Sequence, residues 1–136
     1  MTAAELLPLL NGDARTTLTA EFEALALGLA HLQGESGLWR TILDDPEAYP
    51  ESSASAMYLF AFAKARKEKL LALSGDTVID RAFAGLADCV DEEGKFIKTS
   101  EGTWPGTIEY YKSLKTGEWW WGTGAYLLAL SEFVTT

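Results

Sequence analysis

Residues 119–133, WWWGTGAYLLALSEF, set the frame for the rest of the chain. Three tryptophans run into a Gly-Thr-Gly-Ala step, and the apolar run Tyr126-Leu127-Leu128-Ala129-Leu130 follows. Glycine and threonine suit a tight turn and a helix N-terminus, and an apolar run with no polar stripe predicts a helix buried on every side. A helix start offers unpaired N–H groups and the positive end of the dipole. Aromatic faces pack on flat, weakly polar ligands such as a sugar ring. Two readings stand side by side: the tryptophans line a binding surface, or they plug a core.

Upstream, two kinds of helix alternate. Residues 2–10 read as a short or broken helix, because Pro8 removes a donor in its middle. Asn11-Gly12 is a turn, and Asp13 is expected to cap a helix running to about Gln33 with Leu18, Phe22, Leu25, Ala26, Leu29 and Leu32 on one face. A turn-rich loop covers 34–51, and Ser52 and Ser53 are expected to cap the next helix. That helix is apolar all round through Met57–Ala63 and ends in basic residues that complement its dipole. Ser74-Gly75-Asp76 marks a break before a second one-sided helix carrying Ile79, Ala82, Phe83, Leu86 and Val90, a helix taken to include Cys89. Residues 91–94 form a turn, and brief strand pairing is allowed near residues 95–98.

The chain also repeats itself. Gly28-Leu29-Ala30 falls on Gly85-Leu86-Ala87 at an offset of 57 (85 − 28), and in that register Glu35, Gly37 and Trp39 fall on Glu92, Gly94 and Phe96. The apolar helices correspond at an offset of 69 (124 − 55), Ser55–Leu59 against Gly124–Leu128, so the second loop holds the extra residues. Each unit is an amphipathic helix, a loop with a Gly-x-aromatic element and an apolar helix opening with small residues. One-sided outer helices alternating with apolar inner ones are what a layered α/α array or helical toroid requires.

With 136 residues, 48% of them hydrophobic, the chain is expected to form one domain over residues 1–136. A net charge of -9 and a pI near 4.5 argue against nucleic-acid partners and an anionic membrane surface. The single cysteine, Cys89, reads as a small buried hydrophobe. No run is long enough to span a membrane, and the N-terminus lacks the charge and apolar core of a signal peptide, so a cytoplasmic location is expected.

Taken in order, Gln33…Gly37-Leu38-Trp39, Tyr49-Pro50-Glu51-Ser52-Ser53-Ala54-Ser55-Ala56-Met57-Tyr58, Ile108-Glu109-Tyr110-Tyr111 and Trp121-Gly122-Thr123-Gly124-Ala125-Tyr126-Leu127-Leu128-Ala129 form a recognisable series. It resembles the C-terminal part of the unsaturated glucuronyl and rhamnogalacturonyl hydrolases, glycoside hydrolase families 88 and 105. The resemblance implies an all-α fold, about two and a half helical hairpins of a six-hairpin (α/α) toroid. It implies removal of a 4,5-unsaturated uronic acid from an oligosaccharide end, by hydration of the vinyl ether with an aspartate as general acid and base. No metal or organic cofactor is implied. Inner helices of the family start at the pocket, so Trp39, Glu51, Ser52, Ser53, Tyr110, Trp121 and Thr123 are the implied substrate contacts.

The family's catalytic aspartate lies on an earlier inner helix, and its Gly-Asn-Gly sugar-gripping motif precedes the helix that residues 3–10 resemble. Neither is in this sequence, so no catalytic residue is assigned and the chain alone is expected to be inactive. Asp44, Asp45, Glu47, Asp91, Glu92 and Glu93 fall in turn-like, solvated sequence, where acids serve conformation. Glu51 and Glu109 read as capping or pairing groups ahead of catalysis, and His31 has no companion for metal or nucleophile chemistry. Two other readings remain: a non-catalytic helical interaction module, or a truncated gene product. Both leave apolar inner-helix flanks for a second copy or a partner chain to cover.

Overall fold

The computed structural model describes residues 1–70 and 76–134. Helix α1, Thr2–Leu6, passes into a single 3-10 turn at Leu7–Leu9, where Pro8 ends the α-type ladder. Helix α2 spans Gly12–His31. Asp13 is not its cap: Gly12 takes φ +61, winding begins there, and Asn11 holds the cap position without a side-chain hydrogen bond. Phe22, Ala26 and Leu29 face inward, whereas Leu25, placed on the same stripe by periodicity, is 59% exposed.

Helix α3 is Ser52–Lys67, and helix α4 is Asp76–Ala87. The break expected at Ser74-Gly75 lies outside the described residues. Cys89 sits two residues beyond α4, buried in the turn that follows it. A two-residue strand β1, Thr99–Ser100, pairs antiparallel with β2, Thr116–Gly117, matching Thr99 to Gly117 and Ser100 to Thr116. The pairing expected at residues 95–98 is an isolated bridge between Val90 and Phe96. Between the strands lies the short helix α5, Ile108–Ser113, capped by the Thr107 hydroxyl, which receives the Tyr110 N–H at 3.2 Å.

Helix α6, Trp120–Ser131, starts earlier than the Gly-Thr-Gly step suggests, so Trp120 and Trp121 belong to its first turn. It is not buried on every side. A stripe of Gly122, Ala125 and Ala129 is buried, and α6 makes its most extensive contact with α3, while Leu127 stands 61% exposed. Small residues let the two backbones approach closely. α3 is the more enclosed helix, burying Leu59, Phe60 and Phe62 together with its small residues.

Two core clusters share α3. The larger joins Trp39, Leu59, Phe62, Leu86, Phe96, Ala125 and Ala129 from α3, α6, α4 and both loops. The smaller joins Ala4, Leu7 and Phe22 to Ala61 and Ala65. The internal repeat is visible in hydrogen bonds. Gly34 N–H donates to Leu38 O and Asp91 N–H to Lys95 O, while Gly37 N–H donates to Gly34 O and Gly94 N–H to Asp91 O. The paired glycines take φ +81 and +80. The aromatic that follows each is buried and stacked on a ring of an inner helix, Trp39 on Phe62 at 5.9 Å and Phe96 on Tyr126 at 4.5 Å.

Candidate functional site

The N-termini of α3 and α6 lie at one end of the helix pair, with β1 wedged against both. Glu51, not Ser52 or Ser53, is the cap of α3. Its carboxylate receives the Ala54 N–H at 2.6 Å, the Ser53 N–H at 3.2 Å and the Ser53 hydroxyl at 2.9 Å. The same carboxylate receives the Ser100 N–H at 2.9 Å, tying α3 to β1. Ser52 completes the tie: its N–H donates to Lys98 O at 3.1 Å and its hydroxyl bonds the Thr99 hydroxyl at 2.9 Å.

On the other side of β1, Gly122 is pressed against the Thr99 side chain, leaving no room for a Cβ. The Trp121 indole N–H donates to Ser100 O at 3.3 Å, and its ring lies flat on Trp119, centroids 5.1 Å apart and planes 8° apart. Trp120 meets Trp121 edge-on and is 80% exposed. Thr123 is half-buried in the first turn of α6, its N–H bonded to Trp119 O at 3.2 Å. Trp121, Thr123, Glu51, Ser52 and Ser53 are thus brought to one end of the fold.

Two other expected contacts go elsewhere. Trp39 is wholly buried in the core: its indole N–H donates to Leu29 O at 2.6 Å, its backbone N–H to the Ser55 hydroxyl at 2.9 Å, and its ring packs on Phe62 and Tyr58. No face of that ring is left for a ligand. Tyr110 sits on α5 in the loop beyond the β1–β2 pair, where its hydroxyl receives the Trp104 N–H at 3.2 Å. The Tyr111 hydroxyl receives the Gly106 N–H at 3.3 Å, and Lys112 reaches Asp45 at 2.6 Å and Glu47 at 3.6 Å. Tyr110 therefore braces a loop that presents Trp104 to solvent.

The electrostatics match structural roles for Asp45 and Glu109. The Lys112 ammonium bonded to Asp45, together with the Glu47 N–H, holds the Asp45 carboxyl below its ordinary range. Glu109 is likewise held low, by its own backbone N–H and the Thr107 hydroxyl. A general acid needs the opposite shift. Burial pushes the Cys89 thiol up, and Cys89 donates to Gly85 O at 3.3 Å. Among the described residues no group of His, Cys, Asp and Glu is arranged to hold a metal ion, and no helix is long and apolar enough to cross a membrane.

Thr99 and Ser100 escaped sequence reasoning. Their role depends on contacts with residues as far as 47 and 49 positions away, which no local pattern announces. The one available signal was the glycine at 122, since a helix-interior glycine asks what approaches it.

A layered α/α architecture whose inner-helix N-termini gather aromatic and hydroxyl side chains at one end places the chain among the (α/α) toroid proteins as a class. Within it, the sequence profile of Glycosyl Hydrolase Family 88 matches residues 1–136, and the chain belongs to that family. It is 34% identical over 148 residues to the unsaturated rhamnogalacturonyl hydrolase YesR of Bacillus subtilis, a match covering all of this chain and 39% of that protein. An unsaturated 3S-rhamnoglycuronyl hydrolase of Formosa agariphila is also 34% identical, over 87% of this chain and 31% of its own length. A crystal structure described as a possible member of GH105 family, from Salmonella enterica, superposes with a TM-score of 0.91 at 31% identity, covering 96% of this chain and 36% of that one. The chain thus spans little more than a third of the relatives it matches. It corresponds to part of an (α/α)6 toroid.

Proposed function

We propose that this chain supplies one wall of a carbohydrate pocket that accepts an unsaturated uronyl oligosaccharide, and that the reaction's acid–base aspartate is supplied by a part of the toroid outside this sequence. The observation that carries the reading is the stacked Trp119–Trp121 pair at the start of α6, beside the N-terminus of α3 and held by Ser100. The names of the two curated relatives, both unsaturated uronyl-type hydrolases, support the substrate class. Trp121 offers a ring for a sugar to pack on, and Thr123 a hydroxyl in the first turn of the same helix. Glu51 and Ser52 hold this wall together from behind, since both are buried and hydrogen-bonded.

Titration calorimetry with an unsaturated uronyl disaccharide tests the proposal, on the chain alone and on the chain mixed with the complementary segment of a family member. Binding heat without turnover is expected for the chain alone, and loss of the sugar's conjugated-alkene absorbance only in the mixture. Absence of heat in both conditions, with Trp121→Ala indistinguishable from the starting protein, would refute it.

A second reading, a helical interaction module, is favoured by a different observation. Leu127 and Leu128 on α6, and Leu25 and Leu27 on α2, are exposed. Covering them calls for a second copy of the chain or further helices.

A further inference from the structure

We propose that Glu51 is a positioning residue for the aromatic wall, acting on Trp121 through Ser100. The relay has two hydrogen bonds. The buried carboxylate of Glu51 receives the Ser100 N–H at 2.9 Å, and the carbonyl of Ser100 receives the Trp121 indole N–H at 3.3 Å. Ser100 is therefore held from the α3 side and holds Trp121 on the α6 side. Its neighbour Thr99 is fixed in the same way, between the Ser52 hydroxyl and Gly122.

The carboxylate is committed on both sides. It is 4% exposed, and its oxygens also accept from Ser53 and Ala54 at the start of α3. Capping alone needs an acceptor for the first-turn N–H groups, which an aspartate supplies as well. Oε1 serves both the Ser53 and the Ser100 N–H groups while Oε2 takes the Ala54 N–H, so the one-methylene-shorter aspartate is expected to keep an acceptor for the first turn of α3 and to lose the reach to Ser100. Lys98 shows that β1 is held in place: its backbone is in the left-handed region, φ 64, while its carbonyl accepts from Ser52. A non-glycine residue persists there only when its surroundings over-determine the conformation.

The proposal rests on Trp121 being a pocket wall, so its test includes a readout that needs no sugar. The chain has five tryptophans, giving few indole N–H resonances to resolve by NMR, and Trp121→Phe assigns the relevant one. In Glu51→Asp, which keeps the cap, the Trp121 indole N–H is expected to shift and to exchange with solvent about tenfold faster. The Trp39 indole, bonded to Leu29 O in the core, should not move and reports that the fold is intact. Thr16→Ala, which removes an exposed hydroxyl bonded to Gly12 O on α2, should leave Trp121 unchanged.

Affinity for the uronyl disaccharide should fall about tenfold in Glu51→Asp and stay level in Thr16→Ala, an exposed position on α2 away from the wall. If Trp121 keeps its resonance and protection in Glu51→Asp, the relay is wrong. Should that variant not fold, Ser100→Pro deletes the same hydrogen bond from the other end, and the Trp121 indole signal is read in the same way: a shift and faster exchange support the relay, and an unchanged signal overturns it. Absence of sugar heat in the starting protein, with the indole response as expected, would sink the pocket reading and leave the relay standing.

Discussion

Gly122 and Gly124 lie two residues apart on α6 and meet opposite surroundings. At Gly122 an added Cβ would run into the Thr99 side chain, whereas at Gly124 it would meet nothing within 4 Å. Gly122→Ala is therefore expected to destabilise by roughly 1–3 kcal/mol through overpacking, and Gly124→Ala to stabilise by about 0.5–1 kcal/mol through helix propensity. Urea unfolding of the pair checks both signs, and equal shifts would contradict the packing at β1. Charge is testable on the same scale. Because Asp45 is held below its ordinary value by Lys112, its contribution is fully present above the unfolded aspartate range and is lost as pH falls through the depressed value. Asp45→Asn should flatten that part of the acid limb of a stability–pH profile, and added salt should do the same to the native chain. An unchanged acid limb would mean that this half-buried pair contributes nothing.

Among the elements, α3 depends most on a single side chain. Glu51→Ala removes the acceptor for the N–H groups of Ser53, Ala54 and Ser100 together. A lost cap and newly unpaired buried donors predict a cost of about 2 kcal/mol or more. Denaturant titration should show a lower midpoint with an unchanged slope. A loss under about 0.5 kcal/mol would show that water replaces the carboxylate freely. The helices themselves were legible. Phe22, Ala26 and Leu29 on α2 and Ile79, Ala82 and Leu86 on α4 are buried as their spacing requires, whereas Phe83 and Val90, expected on the same face, are exposed and Val90 lies beyond α4. Boundaries and caps were less so, because Asp13, Ser52 and Ser53 are as good cap formers as the residues that hold those positions. Helix α5 carried no periodic signal, being six residues long with no buried member.

At the scale of the whole molecule, apolar surface is left uncovered at both flanks of the inner helices. α6 exposes Leu127 and Leu128, and on the opposite side a cavity of about 270 Å³ lies among Met1, Phe22, Leu25, Leu29, Tyr58 and Phe62. Surface of this kind is normally covered by a partner. Sedimentation velocity of the 136-residue chain at micromolar concentration is expected to show dimers or larger species. Leu127→Lys should shift the distribution towards monomer, since a charge there cannot be buried cheaply. A concentration-independent monomer in the unmodified chain would count against association.

Sequence by itself determined the alternation of outer and inner helices, the internal repeat and the family, because periodicity, glycine punctuation and residue order are local properties. The paired Gly37 and Gly94 turns, both with positive φ, carry that local information into the fold. Tertiary structure decided what the conspicuous side chains do. Trp39 and Trp121 look alike as letters, yet one is enclosed by Phe62 and Tyr58 while the other stacks on Trp119 at the end of the helix pair. Glu51 became a clamp, and Thr99 and Ser100 a wedge, only when β1 was placed between two helices distant in sequence. The helix of residues 119–133 likewise buries one small-residue stripe instead of its whole circumference. Hydrophobicity says that a residue prefers to leave water, and only the neighbours present in the fold decide whether it can.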